Sequence, residues 1–77
     1  MSKRLPRITA SDTLKALKKD GWYSVRQKGA HVILKNDGEP GLRVVIPVHS
    51  GDILLPKTLA SILDQAGLTV DEFTNLL

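Results

Sequence analysis

Residues 27–37, QKGAHVILKND, combine a turn signal with an apolar run and a second turn signal. Gly29 permits the positive φ angle of a tight hairpin turn, and residues 31–35 are rich in apolar and β-branched side chains. The stretch therefore predicts a β-hairpin whose second strand begins at His31. Because the chain has only two histidines, this position raises the question of a chemical role.

Strands are also predicted on either side of this one. Residues 22–27 (WYSVRQ) precede the turn at residues 28–30, and residues 43–48 (RVVIPV) follow a segment rich in turn formers, residues 36–41. Pro47 lacks an N–H group, which predicts an edge strand or a strand end. The second and third strands are apolar on both faces, so their alternation does not reveal which face meets the helices.

Helices are predicted before and after the strands. The first begins after Thr9, which can cap it, and ends at Gly21. The second begins at Pro56 and ends at Gly67, and a capping box at residues 69–72 opens a short C-terminal helical turn. Apolar residues at helical spacing predict the buried faces: Ala10, Leu14 and Leu17, then Leu59, Ile62, Leu63 and Ala66. The order α-β-β-β-α predicts an α+β fold, a three-stranded antiparallel sheet with helices on one face.

Length and composition indicate one small domain over residues 1–77. Its hydrophobic fraction of 42% is typical of globular proteins, and the absence of cysteine excludes a disulfide framework and a cysteine-based metal site. Residues 1–8 are expected to form a mobile basic arm, without the apolar region of a signal peptide. No apolar run approaches the ~20 residues of a membrane span, so we expect a soluble, cytoplasmic protein.

Charge is distributed unevenly along the chain. Residues 1–35 carry nine basic and two acidic residues, a net charge of +7, whereas residues 36–77 carry two basic and six acidic residues, a net charge of −4. A basic half suggests an anionic partner such as RNA, because phosphate contacts supply most non-specific affinity for nucleic acids. A solvated basic helix face explains the same pattern equally well.

His31 has two interpretations from the residues alone. Imidazole exchanges protons near neutral pH, so it can remove the proton of an RNA 2′-hydroxyl, the nucleophile that the substrate itself supplies. Alternatively, His31 ends a turn with its ring half-buried and hydrogen-bonded. A zinc site needs three or four ligands, which two histidines 18 residues apart and no cysteine do not supply, so no metal and no other cofactor is expected. For His49 a structural role is the better interpretation.

Other residues have similar pairs of interpretations. Lys28 borders His31 in the same turn and can meet a phosphate, or it is an ordinary solvated lysine. Trp22 and Tyr23 can stack on bases, although core packing is the more common use of such aromatics. Phe73 is expected in the core.

The chain resembles the HicA toxin family, small mRNA interferases of bacterial toxin–antitoxin pairs, over about residues 7–76. Five pieces carry the resemblance in order: residues 17–22 (LKKDGW), 28–31 (KGAH), 45–51 (VIPVHSG), 56–67 (PKTLASILDQAG) and 68–73 (LTVDEF). The resemblance implies a fold similar to double-stranded-RNA-binding domains. It also implies an endoribonuclease, a hydrolase that cleaves mRNA with the turn histidine as catalyst and is neutralised by a HicB-type antitoxin.

Carried onto this sequence, the catalytic role falls on His31, with Gly29 before it as in the family. Lys28, Gly29, Arg26 and Lys35 are then the expected RNA-binding residues. Two positions depart from the family pattern. Ala30 stands where serine or glycine is common, and Lys57 stands where a glycine commonly precedes the Thr-Leu pair of the last long helix.

Two other functions fit the same residues. A non-catalytic RNA-binding module would use the basic half and the sheet, and His31 would be dispensable. A protein-interaction partner would use the edge of the sheet as its docking site.

Overall fold

The computed structural model describes residues 4–48 and 53–77. Its elements are α1 (Ala10–Lys19), β1 (Trp22–Lys28), β2 (His31–Asn36), β3 (Val44–Pro47), α2 (Pro56–Ala66) and α3 (Val70–Thr74). The predicted α+β order with its C-terminal helical turn is confirmed, and strand ends differ from those expected by one residue. His49 and the turn expected at residues 50 and 51 lie outside the described residues. None of the helices in the described part has the length and apolarity needed to cross a bilayer.

The three strands form one antiparallel sheet in the order β1-β2-β3. The strand that begins at His31 is therefore central, and β3 lies at an edge, which confirms the expectation for Pro47. Helix α1 contacts β1, and α2 contacts β3. Alternate residues of the two apolar strands are buried on the helix side: Val32, Leu34, Val44 and Ile46. This settles the face that sequence alternation left open.

The core fills the space between the sheet and the helices. Its largest completely buried side chains are Trp22, Phe73, Leu17, Leu34, Ile46, Leu59 and Ile62. The predicted stripe of α2 is confirmed, whereas Leu14 of α1 is only half-buried and Thr13 is buried instead. The Thr13 hydroxyl donates to the Thr9 carbonyl oxygen at 2.9 Å, which removes the cost of burying an unpaired polar group.

The helix ends follow the capping signals. The Thr9 hydroxyl accepts a hydrogen bond from the Asp12 N–H. Gly67 takes a φ of +70° and ends α2 with its own N–H bonded to Asp64, the geometry that favours glycine at this position. At α3 the capping box is complete, because Thr69 and Glu72 each accept a hydrogen bond from the other's backbone N–H.

Part of the expected N-terminal arm is docked on the domain. Leu5 and Ile8 pack against the core. The Ile8 carbonyl accepts a hydrogen bond of 2.9 Å from the Leu54 N–H, and Thr9 pairs with Ile53 in an isolated antiparallel bridge. Residues 5–8 thus lie against the domain, because Leu5 and Ile8 find a partly buried site.

Candidate active site on the outer face of the sheet

The predicted site residues share one face of the sheet. Val32 is buried on the helix side, so His31 points away from the helices, because successive strand residues alternate between faces. Lys28 lies directly opposite His31 in the register, and Arg26 lies opposite Ile33. Residues paired across antiparallel strands point to the same side. We call this side, with Arg26, Lys28 and His31, the outer face.

A β-bulge at Val25 determines which β1 residues reach the outer face. The register shifts between Ser24 and Arg26, which leaves Val25 as the extra residue. In an unbroken strand Tyr23 and Arg26 would point to opposite sides, since they are three residues apart. The bulge places them on the same side, so Tyr23 shares the outer face with Arg26 and Lys28, and bulges of this kind are common near functional sites.

The hairpin turn fixes Lys28 next to His31. Only Gly29 and Ala30 separate the two strands. Gly29 has a φ of +59° and Ala30 a negative φ, the sign pattern of a type II′ turn. A side chain at Gly29 would meet no atom within 4 Å, so the backbone angle and not crowding requires glycine there. Directly opposed residues have Cβ atoms about 4.5–5.5 Å apart, so the Lys28 ammonium group can lie close to the His31 ring.

The His31 side chain is exposed. Within residues 4–48 and 53–77, its ring makes no hydrogen bond to another side chain or to the backbone. The structural alternative, a half-buried and hydrogen-bonded ring at the end of a turn, does not describe this arrangement. The ring is instead presented to solvent beside cations.

The other end of the outer face has a different character. Lys35 is half-buried, and its Nζ donates to the Pro40 carbonyl at 3.2 Å. Tyr23 is 43% exposed, so the expectation of core packing is wrong for Tyr23, while Trp22 is buried as expected. The Tyr23 hydroxyl donates to Asp37 Oδ1 at 2.7 Å, and this hydrogen bond to a carboxylate raises the tyrosine's pKa. At the hairpin end, by contrast, the side chains of Arg26 and Lys28 are exposed.

His31 also lines an open cleft of about 360 Å³ between the outer face and α2. The helix contributes a polar stripe, Lys57, Ser61 and Gln65, which no sequence motif indicates as part of a site. Its spacing of i, i+4 and i+8 is a helical period that is visible in the sequence, but this spacing does not show that the stripe lies beside His31. Val45 and Pro47 of β3 form the floor of the cleft.

The edge of β3 at this cleft is closed. The Val45 N–H donates to Gln65 Oε1 at 2.8 Å, and Gln65 Nε2 donates to Ser61 Oγ at 3.1 Å. Outward-pointing N–H groups recur at every second strand residue, so the next outward position is Pro47, which has no N–H. Over these residues β3 offers no free donor to an added strand, which disfavours this edge as the docking site of a protein partner.

No group of three or more His, Cys, Asp or Glu residues in the described segments is arranged to hold a metal ion. The arrangement offers a base, exposed cations and hydroxyl groups. It suits chemistry on a substrate that brings its own nucleophile and carries negative charge.

A comparison with protein families identifies the chain. Residues 10–68 match the family model described as the HicA toxin of bacterial toxin–antitoxin systems. The match covers well over half of the chain, which therefore belongs to the HicA toxin family, and the protein is the toxin component of a toxin–antitoxin system. Neither the curated proteins nor the solved structures compared with it gave a match.

Proposed function

We propose that this toxin is a metal-independent endoribonuclease that cleaves mRNA with His31 as general base. The observation that carries the proposal is the exposed imidazole directly opposite Lys28 on a face that also holds Arg26. Family membership supports a toxin, and the outer face supplies the base and the cations that RNA cleavage needs.

The chemistry requires only the RNA, this set of side chains and water. A ring nitrogen of His31 takes the proton of a ribose 2′-hydroxyl. The 2′-oxygen then forms a bond to the adjacent phosphorus, and the bond from phosphorus to the 5′-oxygen breaks. Water or Lys28 returns a proton to that leaving oxygen. The products are a 2′,3′-cyclic phosphate and a 5′-hydroxyl end.

The cations have separate roles in this scheme. Lys28 and Arg26 are exposed and hold the phosphate on which negative charge develops. Lys35 contributes charge from a more fixed position, because its ammonium group is bonded to the Pro40 carbonyl. Open space around Gly29 allows the RNA backbone to approach the turn closely.

A HicB-type antitoxin is the proposed inhibitor. It acts by covering His31, and an acidic surface on it would complement the basic hairpin end. The mRNA substrate places the action of the toxin in the cytoplasm.

Cleavage of a long RNA in the presence of EDTA tests the proposal. Wild-type protein is expected to cleave, and His31→Ala to lose about 10²- to 10⁴-fold in rate, the contribution typical of a general base. Circular dichroism should show the same fold for both proteins, because the exposed ring makes no hydrogen bond within the described residues.

Two outcomes would contradict the proposal. Undiminished cleavage by His31→Ala would show that His31 is not the general base. Intact RNA with stable binding by the wild type would favour the non-catalytic RNA-binding module.

A further inference from the structure

The polar stripe of α2 forms a second wall opposite His31. Lys57, Ser61 and Gln65 are spaced four residues apart, so they lie along one side of the helix. All three line the cleft that also contains His31. The apolar stripe of the same helix is buried in the core, which fixes the rotation of α2 and holds the polar stripe at the cleft.

The hydrogen bonds of Gln65 determine what Ser61 presents to the cleft. A backbone N–H only donates, so the Gln65 atom that faces Val45 must be the oxygen. The amide nitrogen therefore faces Ser61 and donates to its Oγ. Since the Ser61 oxygen accepts in this contact, its own hydrogen remains available to donate to a ligand in the cleft.

Lys57 adds charge to this wall. Its side chain is exposed on the first turn of α2, and none of the described residues lining the cleft is acidic. The cleft thus presents an ammonium group and a hydroxyl hydrogen on one side and His31 on the other. An ammonium group and a hydroxyl donor that line one cleft without an acidic side chain are suited to a phosphate group.

We propose that this cleft binds an RNA phosphate next to the phosphodiester that is cleaved, with Lys57 and Ser61 as its donors. The inference rests on the proposed function, which supplies the RNA. The RNA backbone then runs from the hairpin cations, past His31, to the wall of α2. Lys57 and Ser61 are binding residues in this arrangement, and Gln65 positions Ser61.

Binding of a labelled single-stranded RNA to the non-cleaving His31→Ala protein tests the cleft without requiring catalysis. Adding Lys57→Ala is expected to weaken binding several-fold and to reduce the slope of log affinity against log salt by about 0.7, the effect of losing one phosphate contact on a single strand. Lys57→Arg should restore both. Ser61→Ala should weaken binding without changing the salt slope, because it removes no charge.

Lys18→Ala is the matched control, since it removes one exposed positive charge from α1, away from the cleft. Equal effects of Lys57→Ala and Lys18→Ala on affinity and salt slope would overturn the inference, because net charge alone would then explain them. Cleavage by otherwise wild-type protein separates the two proposals. His31-dependent cleavage with a KM unaffected by Lys57→Ala would overturn the cleft and leave the proposed function standing. Loss of RNA affinity on Lys57→Ala, together with cleavage independent of His31, would support phosphate binding in the cleft and overturn the proposed role of His31.

Discussion

The two faces of the sheet are made from alternate residues of the same strands, yet their side chains differ strongly in burial. On β2, Leu34 is completely buried against the helices, whereas His31 is exposed on the outer face. The helix side contributes most of the apolar burial that stabilises the fold. The outer face contributes less burial, so its side chains can vary at lower cost in stability. Substitutions on the outer face should leave stability largely intact, and conservative substitutions on the helix side should leave the exposed surface of the outer face largely intact.

The largest expected effect on stability compares two neighbours on β2. Leu34→Ala should lower the free energy of unfolding by about 2–5 kcal/mol, because it removes a completely buried side chain and leaves a cavity. Ile33→Ala, half-buried on the outer face, should cost clearly less. Urea denaturation followed by circular dichroism measures both. Equal losses would show that the two faces do not differ as described.

A smaller effect is expected at Gln65, where the two faces meet. Gln65→Ala leaves the Val45 N–H without its partner and should cost about 1 kcal/mol of unfolding free energy. Gln65→Glu keeps an acceptor for Val45 but loses the donor to Ser61 and adds negative charge to the cleft. Denaturation and RNA binding should therefore separate the variants: Gln65→Glu retains stability and loses affinity. A Gln65→Glu protein that binds RNA like the wild type would contradict this.

The smallest expected effect concerns acid. Hydrogen bonds with Thr69 lower the pKa of Glu72 below its ordinary value, and the bond from the Thr69 backbone N–H has the largest effect. A lowered pKa in the folded state stabilises the fold above the ordinary pKa, and this contribution disappears as the pH falls through the folded value. Glu72→Gln keeps a capping acceptor without a titrating group, so its stability should depend less on pH in acid. Thermal unfolding from pH 3 to 7 measures the difference, and identical pH profiles for both proteins would exclude this role.

Much of the fold could be predicted from local signals. Gly29 in its turn, the caps at Thr9 and Thr69, and glycine after α2 all have mechanisms that act within a few residues, and each appears as expected. The face of β2 and β3 that meets the helices could not be predicted, because both faces are apolar in sequence and only packing decides between them. The exposure of Tyr23 could not be predicted for a related reason, since the side to which an aromatic residue of a strand points depends on the register.

The site was predictable only in part. His31, Lys28 and Arg26 could be selected from the sequence, and their shared face follows from the two-residue turn and strand alternation. The presence of Tyr23 on the same face could not be predicted, because it depends on the bulge at Val25, which no local motif indicates. The wall of α2 was missed because Lys57 and Ser61 are more than 25 residues from His31 along the chain. Their proximity arises from the packing of α2 on β3.

The closed edge at Pro47 and Gln65 has a consequence for the behaviour of many copies of this chain. Open sheet edges are the template on which identical chains polymerise. Here the edge at β3 has no free N–H donor over residues 45–47, and the edge at β1 is interrupted by an extra residue at Val25. We therefore expect the toxin not to form fibres at high concentration, although its basic side chains Arg26 and Lys28 are exposed.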